Sequence, residues 1–177
     1  MLITTIKGVL PMIIREVEVN DLMKVLEIYN QGIEDRIATL ETRTKDEEYI
    51  HSWFLRLQGR YVGLVAENEE KNIVGWASIS PYNPREAYKG VGEISVYIHR
   101  DFRGKGAGQK LLKQLEIEAI NLDFYKLILF TFPFNSLGQG LYNKLQYRQV
   151  GVFKNQGILD GEFVDVMAME KILDPNS

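Results

Sequence analysis

The sequence predicts an α+β fold in which a β-sheet is flanked by helices. In some segments apolar residues repeat at helical spacing, whereas in others they cluster with β-branched residues as in strands. The predicted elements follow the order strand, two helices, three strands, helix, strand, helix and two strands. No internal repeat, low-complexity tract or linker interrupts this order, so we predict a single domain over residues 13–173.

Seven strands are predicted from runs of apolar and β-branched residues. A polar turn at residues 68–72 joins the second strand to the third, which is typical of an antiparallel hairpin. Residues 81–92 contain two prolines and two glycines and are predicted to form a loop. The strands are expected at residues 13–17, 61–67, 73–80, 93–99, 125–132, 147–154 and 162–171.

Four helices are predicted from apolar residues spaced three and four apart. Asn20 and Asp21 carry side-chain oxygens suited to the N-cap of the first helix, which is expected to end near Gly32. Residues 44–47 resemble a capping box before the second helix, and Gly59 is expected to close it. The helices are expected at residues 22–32, 49–55, 107–121 and 136–144.

The composition excludes several classes of site. The 177 residues include no cysteine, which excludes disulfides and thiol nucleophiles, and only two histidines, so no metal site is expected. With 21 Lys and Arg against 24 Asp and Glu, the chain is mildly acidic, and no nucleic-acid partner is expected. No apolar run approaches the ~20 residues that cross a bilayer, so we expect a cytoplasmic protein without a membrane partner. Residues 1–12 lack a signal-peptide cleavage pattern and are expected to be an N-terminal extension, disordered or foreign to the natural chain.

The strongest chemical signal is a glycine-rich turn at residues 103–108, Arg-Gly-Lys-Gly-Ala-Gly, between a strand and an amphipathic helix. Glycines let backbone amides approach a ligand, and the helix N-terminus adds unpaired N–H groups. Arg103 and Lys105 add two positive charges. These features indicate a pyrophosphate site; the alternative is a tight turn without a ligand. The turn fits neither a Walker motif, which ends in Gly-Lys-Ser/Thr, nor a dinucleotide fingerprint at the first strand–helix turn.

Residues 96–108 resemble the coenzyme A motif of the GNAT acetyltransferase superfamily, Arg/Gln-x-x-Gly-x-Gly/Ala after an aliphatic strand. A second block, Asn135 with residues 141–145 and Tyr147, is similar to the same family. Members usually have glycine where this chain has Gln146, a departure that bears on the tightness of that turn. The resemblance implies a GNAT-like mixed, largely antiparallel central sheet flanked by helices.

One branch, the phosphinothricin acetyltransferase group, resembles the chain from Ile13 to about Lys171. The similar segments are residues 26–30, 39, 56–57, 60–61, 65–67, 75–77, 84–88 and 93–98, and the final strand pair with Gly157, Gly161 and Asp165. This resemblance implies an N-acetyltransferase that uses acetyl-CoA, acts on a small amino-acid-like amine and forms a homodimer.

The resemblance also implies how acetyl-CoA is held. A strand backbone pairs with the pantetheine arm, and the amides of the glycine-rich turn wrap the pyrophosphate. Asn135 is expected to bond the pantetheine region, to cap the helix that follows, or both. The residues expected to bind acetyl-CoA are Val96, Tyr97, Ile98, Arg103, Gly104, Lys105, Gly106, Ala107, Gly108 and Asn135.

Two side chains are candidates for proton transfer. Glu93 matches the carboxylate proposed as general base in this branch, which would deprotonate the amine directly or through water. The alternative is an exposed glutamate in a salt bridge. Tyr142 lies where many relatives carry a tyrosine that donates to the departing thiolate; the phosphinothricin branch often has histidine there, and core packing is the alternative. The amide of Val96 is the expected oxyanion partner.

Arg85 and Tyr88 are predicted to bind the acceptor, because a guanidinium pairs bidentately with a carboxylate; a surface arginine is the alternative. We favour transfer by direct attack in a ternary complex, since no cysteine is available as an acyl carrier. Two other functions stay open. One is a GNAT enzyme for another amine (a polyamine, a drug or a protein N-terminus), and the other is a non-catalytic acyl-CoA-binding sensor.

Overall fold

Residues 11–174, which this computed structural model describes, form a seven-stranded sheet with helices on both faces. The strands are β1 Met12–Glu16, β2 Gly63–Asn68, β3 Ile73–Pro81, β4 Val91–Ile98, β5 Lys126–Thr131, β6 Arg148–Leu159 and β7 Glu162–Ile172. The helices are α1 Leu22–Glu34, α2 Glu47–Leu55, α3 Ala107–Asn121 and α4 Ser136–Lys144, with short 3₁₀ turns at Val19–Asp21, Glu86–Tyr88 and Arg100–Phe102. The predicted α+β fold class is confirmed.

The sheet has the order β1-β2-β3-β4-β5-β7-β6, and every neighbouring pair is antiparallel except β4 and β5. That parallel pair is joined through only three residue pairs, the last of which is Glu93 with Ile128. Beyond Glu93, β4 continues to Ile98 and β5 to Thr131 without pairing to each other. The sheet therefore opens along the second half of β4.

Each face of the sheet has its own hydrophobic core. On one face, leucines of α3, such as Leu111 and Leu115, pack against Leu64 and Ile79. On the other, α1 and α2 pack against the sheet around Trp76. Because side chains alternate along a strand, Ile98 contributes to the first core while its neighbour Tyr97 packs against the second.

The helix caps differ from those expected. Asp21 precedes α1, but its carboxylate accepts from the Glu18 amide at 2.8 Å and from Arg15 at 2.7 Å rather than from an amide of the helix. The N-cap of α2 is Asp46, which accepts from the Tyr49 amide at 3.0 Å. A capping box over residues 44–47 would place the N-cap at Thr44, but α2 begins at Glu47, so Asp46 occupies the N-cap position.

Several boundaries also moved. Strand β6 runs to Leu159 rather than residue 154, through a register shift between Phe153 and Gly157 that alternation alone could not show. Met12, the last residue of the predicted extension, pairs with Asn68 at the start of β1, and residues 1–10 of that extension lie outside the described residues. After α4, Gln146 adopts a left-handed φ of 66°, so the tight turn is kept without glycine.

Candidate active site

Backbone groups along the second half of β4 face the opening in the sheet. The His99 amide donates to the Val74 carbonyl at 2.9 Å, so the backbone groups of odd-numbered residues point toward β3. Since these groups alternate along a strand, those of Val96 and Ile98 point the other way, toward the side where β5 has separated. An extended ligand with its own amide groups can pair with this exposed backbone edge.

The glycine-rich turn lies at the end of β4 and leads directly into α3. Gly104 and Gly106 have φ of 73° and 91°, and Gly106 is the N-cap of α3. Amides in the first turn of a helix have no partner within the helix, and they carry its positive dipole. The backbone from Gly104 to Gly108 therefore presents a concave set of donors suited to a phosphate anion.

Gly108 has a separate, steric role. A Cβ at this position would lie 2.8 Å from Cδ2 of Leu141 on α4. Glycine therefore allows α3 and α4 to approach closely at the point where both line the same groove. The sequence predicted these glycines for phosphate binding and missed this packing role, because Leu141 lies more than thirty positions further along the chain.

The two cations of the turn have different surroundings. The Arg103 guanidinium binds the Asp35 carboxylate at 2.7 Å and the Ile98 carbonyl at 3.2 Å, so it braces the turn against α1 and β4. Lys105 extends over the Phe102 ring, with Nζ 5.1 Å from its centroid. Burial alone would raise the pKa of Asp35, but hydrogen bonds from Arg103 and Arg100 hold it below its ordinary value.

A groove of about 370 Å³ follows this backbone between α3 and α4, and we call it the α3–α4 groove. Nine of the ten residues predicted to bind acetyl-CoA line it, and Lys105 does not. The nine are Val96, Tyr97, Ile98, Arg103, Gly104, Gly106, Ala107, Gly108 and Asn135. The sequence missed the share of α4 in this wall, including Gly138 and Gly140, although two glycines so close after a helix cap are a usable signal of close approach.

Asn135 caps α4 and faces the groove as well. Its Oδ1 accepts from the Gly138 amide at 3.0 Å, and its Nδ2 donates to the Thr131 hydroxyl at 3.3 Å. The capping role expected of this residue is therefore present.

A second cavity, of about 290 Å³, opens from the groove toward the α1 face of the sheet, and we call it the Glu93 cavity. The two share Ala38, Val96, Tyr97, Asn135 and Tyr142 as lining residues. Glu93 is the one charged residue among those of the described chain that line this cavity. The remaining lining residues include five aromatic rings, from Tyr29, Tyr97, Phe130, Phe132 and Tyr142.

Glu93 lies at the last paired position of β4, where the sheet begins to open. Between residues 11 and 174, no hydrogen bond or ion pair joins its carboxylate to another residue, so the surface salt bridge considered as an alternative is absent there. Burial raises the pKa of the Glu93 carboxyl above its ordinary value. A carboxylate with a raised pKa and no partner is a competent proton acceptor.

Tyr142, on α4, lines the same cavity as Glu93. The residue is 8% exposed, and burial raises the pKa of its phenol to about 12. It packs in the α3 core, with its ring 6.1 Å from that of Tyr147, and it lines both cavities. Its hydroxyl donates to no other residue in the described part of the chain, and the phenol remains protonated near neutral pH.

Comparison with known proteins agrees with this geometry. The Acetyltransferase (GNAT) family matches residues 24–147. The L-methionine sulfoximine/L-methionine sulfone acetyltransferase of Pseudomonas aeruginosa is 31% identical over 92% of this chain and 95% of its own.

The chain belongs to the GNAT acetyltransferase family.

Two solved acetyltransferase structures are also similar to this chain. The phosphinothricin acetyltransferase of Sinorhizobium meliloti in complex with acetyl-CoA has a TM-score of 0.87 and 28% identity, over 92% of this chain and 88% of that one. The ribosomal-protein-alanine N-acetyltransferase of Brucella melitensis also has a TM-score of 0.87, with 33% identity over 91% of this chain and 99% of its own. This protein is accordingly an N-acetyltransferase with acetyl-CoA as cosubstrate.

The GNAT site fits acetyl-CoA on grounds independent of that comparison. The ligand combines a pyrophosphate with an arm containing two amides, and the site offers an anion-binding turn that adjoins a strand edge not paired with β5. The groove then leads to Glu93 and Tyr142, where a thioester would meet the second cavity.

Two predicted residues lie outside these cavities. Arg85 precedes the 3₁₀ turn Glu86–Tyr88 and is exposed, and Tyr88, 37% exposed, contacts the ring of Tyr82. Neither lines the Glu93 cavity or the α3–α4 groove. The residues after α1 that do line the Glu93 cavity, Ala38 to Leu40, were not singled out for it, since they lie on an irregular loop with no motif.

Residues 11–174 contain no group of three or more His, Cys, Asp or Glu side chains placed to hold a metal ion. Over the same residues, no helix combines the length and apolar character needed to cross a membrane.

Proposed function

We propose that this enzyme acetylates the primary amine of a small amino-acid-like acceptor, of the phosphinothricin or methionine sulfoximine type. The observation that carries the proposal is the junction at Val96, Tyr97, Asn135 and Tyr142, where a small cavity with a single carboxylate meets the α3–α4 groove. The volume of about 290 Å³ suits a small acceptor. The Pseudomonas aeruginosa relative, named for such acceptors, supports the same choice.

In the proposed reaction the acceptor amine attacks the thioester directly, within a ternary complex. Acetyl-CoA supplies the activated acetyl group, and the chain has no cysteine to carry it. Glu93 removes a proton from the ammonium directly or through a water molecule. The Val96 amide donates to the carbonyl oxygen as negative charge develops there. The Tyr142 hydroxyl donates to the departing sulfur, which stabilises the thiolate.

In this proposal, backbone amides contribute more to acetyl-CoA binding than charged side chains do. The amides from Gly104 to Gly108 bind the pyrophosphate, and Lys105 adds a positive charge from the rim. Arg103 holds the turn in shape through Asp35. The backbone groups of Val96 and Ile98 pair with the pantetheine arm, the Tyr97 side chain lines the groove beside it, and Asn135 donates to the same arm from the opposite wall.

Arg85 and Tyr88 remain part of the proposal as acceptor-binding residues. Among the described residues, the Glu93 cavity offers no cation for an acceptor carboxylate, so a guanidinium from the loop before β4 would complete the site. We expect Arg85→Ala to raise KM for amino-acid acceptors and to leave KM for amines without a carboxylate unchanged. Equal KM changes for both kinds of acceptor would remove Arg85 from this role.

We also propose that the enzyme is a cytoplasmic homodimer that binds neither nucleic acid nor membranes. Large apolar side chains are exposed on the edge strand β6 and on β7, among them Val150, Phe153, Ile158 and Phe163, which supports association through this face. Light scattering on the purified protein should give twice the mass of one chain, and Phe163→Glu should shift it to one. A wild-type protein of single-chain mass would contradict this assignment.

The deciding experiment measures thiol release from acetyl-CoA with a panel of acceptors. The panel contains methionine sulfoximine, methionine sulfone, phosphinothricin, a polyamine, and a peptide with an N-terminal alanine. Turnover with the first three alone supports the proposal. Turnover with the peptide would favour a protein N-terminus instead, a candidate raised by the Brucella melitensis neighbour. Binding of acetyl-CoA without turnover on any amine would indicate a sensor.

A further inference from the structure

The loop that follows α1 forms part of the wall of the Glu93 cavity, yet the proposed chemistry assigns it no role. Ala38, Thr39 and Leu40 all line the cavity, although residues 37–40 belong to no helix or strand. Leu40 is 37% exposed, so it lies at the mouth of the cavity rather than in its interior. An irregular loop needs specific contacts to hold an apolar side chain in such a place.

Arg36 supplies the first of these contacts. It has a left-handed φ of 57°, and its guanidinium donates to the carbonyls of Ile33 at 3.2 Å, Glu41 at 3.3 Å and Thr42 at 3.4 Å. The donors therefore bind backbone on both sides of residues 37–40. One side chain fixes the start and the end of the loop.

Asp160 connects this arrangement to the other half of the molecule. Its carboxylate accepts from Nε of Arg36 at 3.0 Å and from Nη2 at 3.2 Å, in the paired geometry that suits a planar guanidinium. Asp160 lies in the turn between β6 and β7, far along the chain from Arg36. The loop is therefore joined to the hairpin of β6 and β7, and β7 contributes Val166 to the wall of the cavity.

The side chain of Leu40 packs against the same hairpin. A Cβ at Gly157 of β6 would lie 2.6 Å from Cδ2 of Leu40 and 3.0 Å from Cδ1. Leu40 thus occupies the space that any other residue at position 157 would need. The backbone of Gly157 is not left-handed, so a larger residue there would act by displacing the Leu40 side chain rather than by straining the backbone.

We propose that Leu40, seated on Gly157, sets the upper size limit of the acceptor, and that Arg36 and Asp160 are positioning residues that hold it there. This inference rests on the proposed function, because it takes the Glu93 cavity as the acceptor site. It adds the element that selects among acceptors. A shorter side chain at position 40 enlarges the mouth of the cavity. Loss of the Arg36 contacts leaves the position of Leu40 variable, so the mouth no longer has one fixed size.

The first test compares amino acids that carry a sulfone on side chains of increasing length, from a homologue one methylene shorter than methionine sulfone to longer homologues. In Leu40→Ala, we expect the kcat/KM ratio of the largest to the smallest acceptor to rise about tenfold, the order expected for a change of pocket size. Leu55→Ala is the matched control, since Leu55 is an exposed leucine of α2 that lines neither cavity. An unchanged ratio in Leu40→Ala, with an active wild type, would overturn the inference and leave the proposed function intact.

The second test separates positioning from folding. Arg36→Gly removes the guanidinium and tolerates the φ of 57°, and Asp160→Asn removes the ion pair alone. Both should raise acceptor KM several-fold and KM for acetyl-CoA much less, because Leu40 lines the Glu93 cavity and not the groove, whereas Ala38 of the same loop lines both. Arg43→Gly is the control, because Arg43, on the same loop, has no hydrogen bond or ion pair to residues 11–174. Equal effects on both KM values would contradict the positioning role, and a wild type inactive on the whole series would overturn both proposals.

Discussion

A guanidinium nitrogen of Arg103 lies 2.7 Å from a carboxylate oxygen of Asp35, which fixes the glycine-rich turn to the C-terminal end of α1. The charge expected to neutralise phosphate is thus largely committed to a neighbouring carboxylate. The turn is held in a phosphate-binding shape by this pair, and its backbone amides remain the main donors.

Weakening that pair should weaken cosubstrate binding. We expect Asp35→Asn to raise KM for acetyl-CoA about fivefold, the equivalent of about 1 kcal/mol for a partly exposed ion pair. Titration calorimetry and initial rates would measure it. Glu34→Gln serves as the control, since Glu34 forms its ion pair with Arg100 and, among residues 11–174, none with Arg103. A normal KM in Asp35→Asn would show that the turn keeps its shape without the brace.

Glu93→Gln should lower turnover about a hundredfold or more, the usual range for loss of a general base. The affinity for acetyl-CoA should not change, because the residue lines the Glu93 cavity and not the groove. Burial raises the pKa of Glu93, so the acidic limb of kcat/KM should lie above the ordinary pKa of glutamate and should vanish in the variant. Wild-type turnover in Glu93→Gln would eliminate the carboxylate as base.

The same substitution should make the protein more stable. The pKa of Glu93 is higher in the folded state than in the unfolded chain, so the folded protein holds this proton more tightly. Its contribution to stability is complete below the unfolded-state pKa of about 4.3 and is lost as pH rises through the folded-state pKa. Glu93→Gln should therefore unfold at a higher temperature than the wild type at neutral pH, and the difference should shrink toward pH 4.

Glu69→Gln provides the comparison for that measurement, because Glu69 is exposed in the turn between β2 and β3. Its melting temperature should follow that of the wild type at every pH. A Glu93→Gln protein no more stable than the wild type at neutral pH would mean that solvent reaches the carboxylate freely.

Tyr142→Phe should reduce kcat about tenfold or more with little change in acetyl-CoA affinity, because it removes a proton donor and keeps the ring. Since burial raises the pKa of Tyr142 to about 12, its ionisation should produce no alkaline limb in the wild-type profile below about pH 11. Tyr147→Phe is the control, as the Tyr147 ring lies 6.1 Å away and lines neither cavity. Equal rates for the two variants would return Tyr142 to a packing role.

Gln146→Gly should stabilise the fold by about 0.5–1 kcal/mol, because a left-handed conformation costs a residue with a Cβ more than it costs glycine. The Tyr147 amide still donates to the Tyr142 carbonyl at 2.9 Å across this turn, so the backbone is already in place. Urea unfolding of Gln146→Gly and Gln146→Ala would separate conformational strain from loss of the side chain. A gain in both variants would assign the effect to the glutamine side chain instead.

The features predicted well from sequence are those with local causes. The hairpin before Glu93, the turn that begins at Gly104 and the Asn135 cap each depend on neighbouring residues, and each appears as expected. The length of β6 was underestimated, because its register shift near Gly157 is determined by packing against β7 and the α1 loop.

The residues that line the candidate site also differ in whether their positions depend on local sequence or on distant contacts. Positions in the strand–turn–helix unit were predictable, since chain continuity brings Val96 and Gly106 together. Residues brought in from elsewhere were not, and Leu40 and Arg36 are the clearest cases, as both depend on contacts with the hairpin of β6 and β7. No periodicity in the sequence encodes such a contact.

The three residue pairs between β4 and β5 are the only direct ladder joining the two halves of the sheet in the described part of the chain. A bound cosubstrate whose arm hydrogen-bonds to β4 would add hydrogen bonds along the part of β4 that is not paired with β5. Saturation with it should therefore raise cooperativity of unfolding as well as melting temperature, and amide exchange should slow most between Ile94 and Ile98.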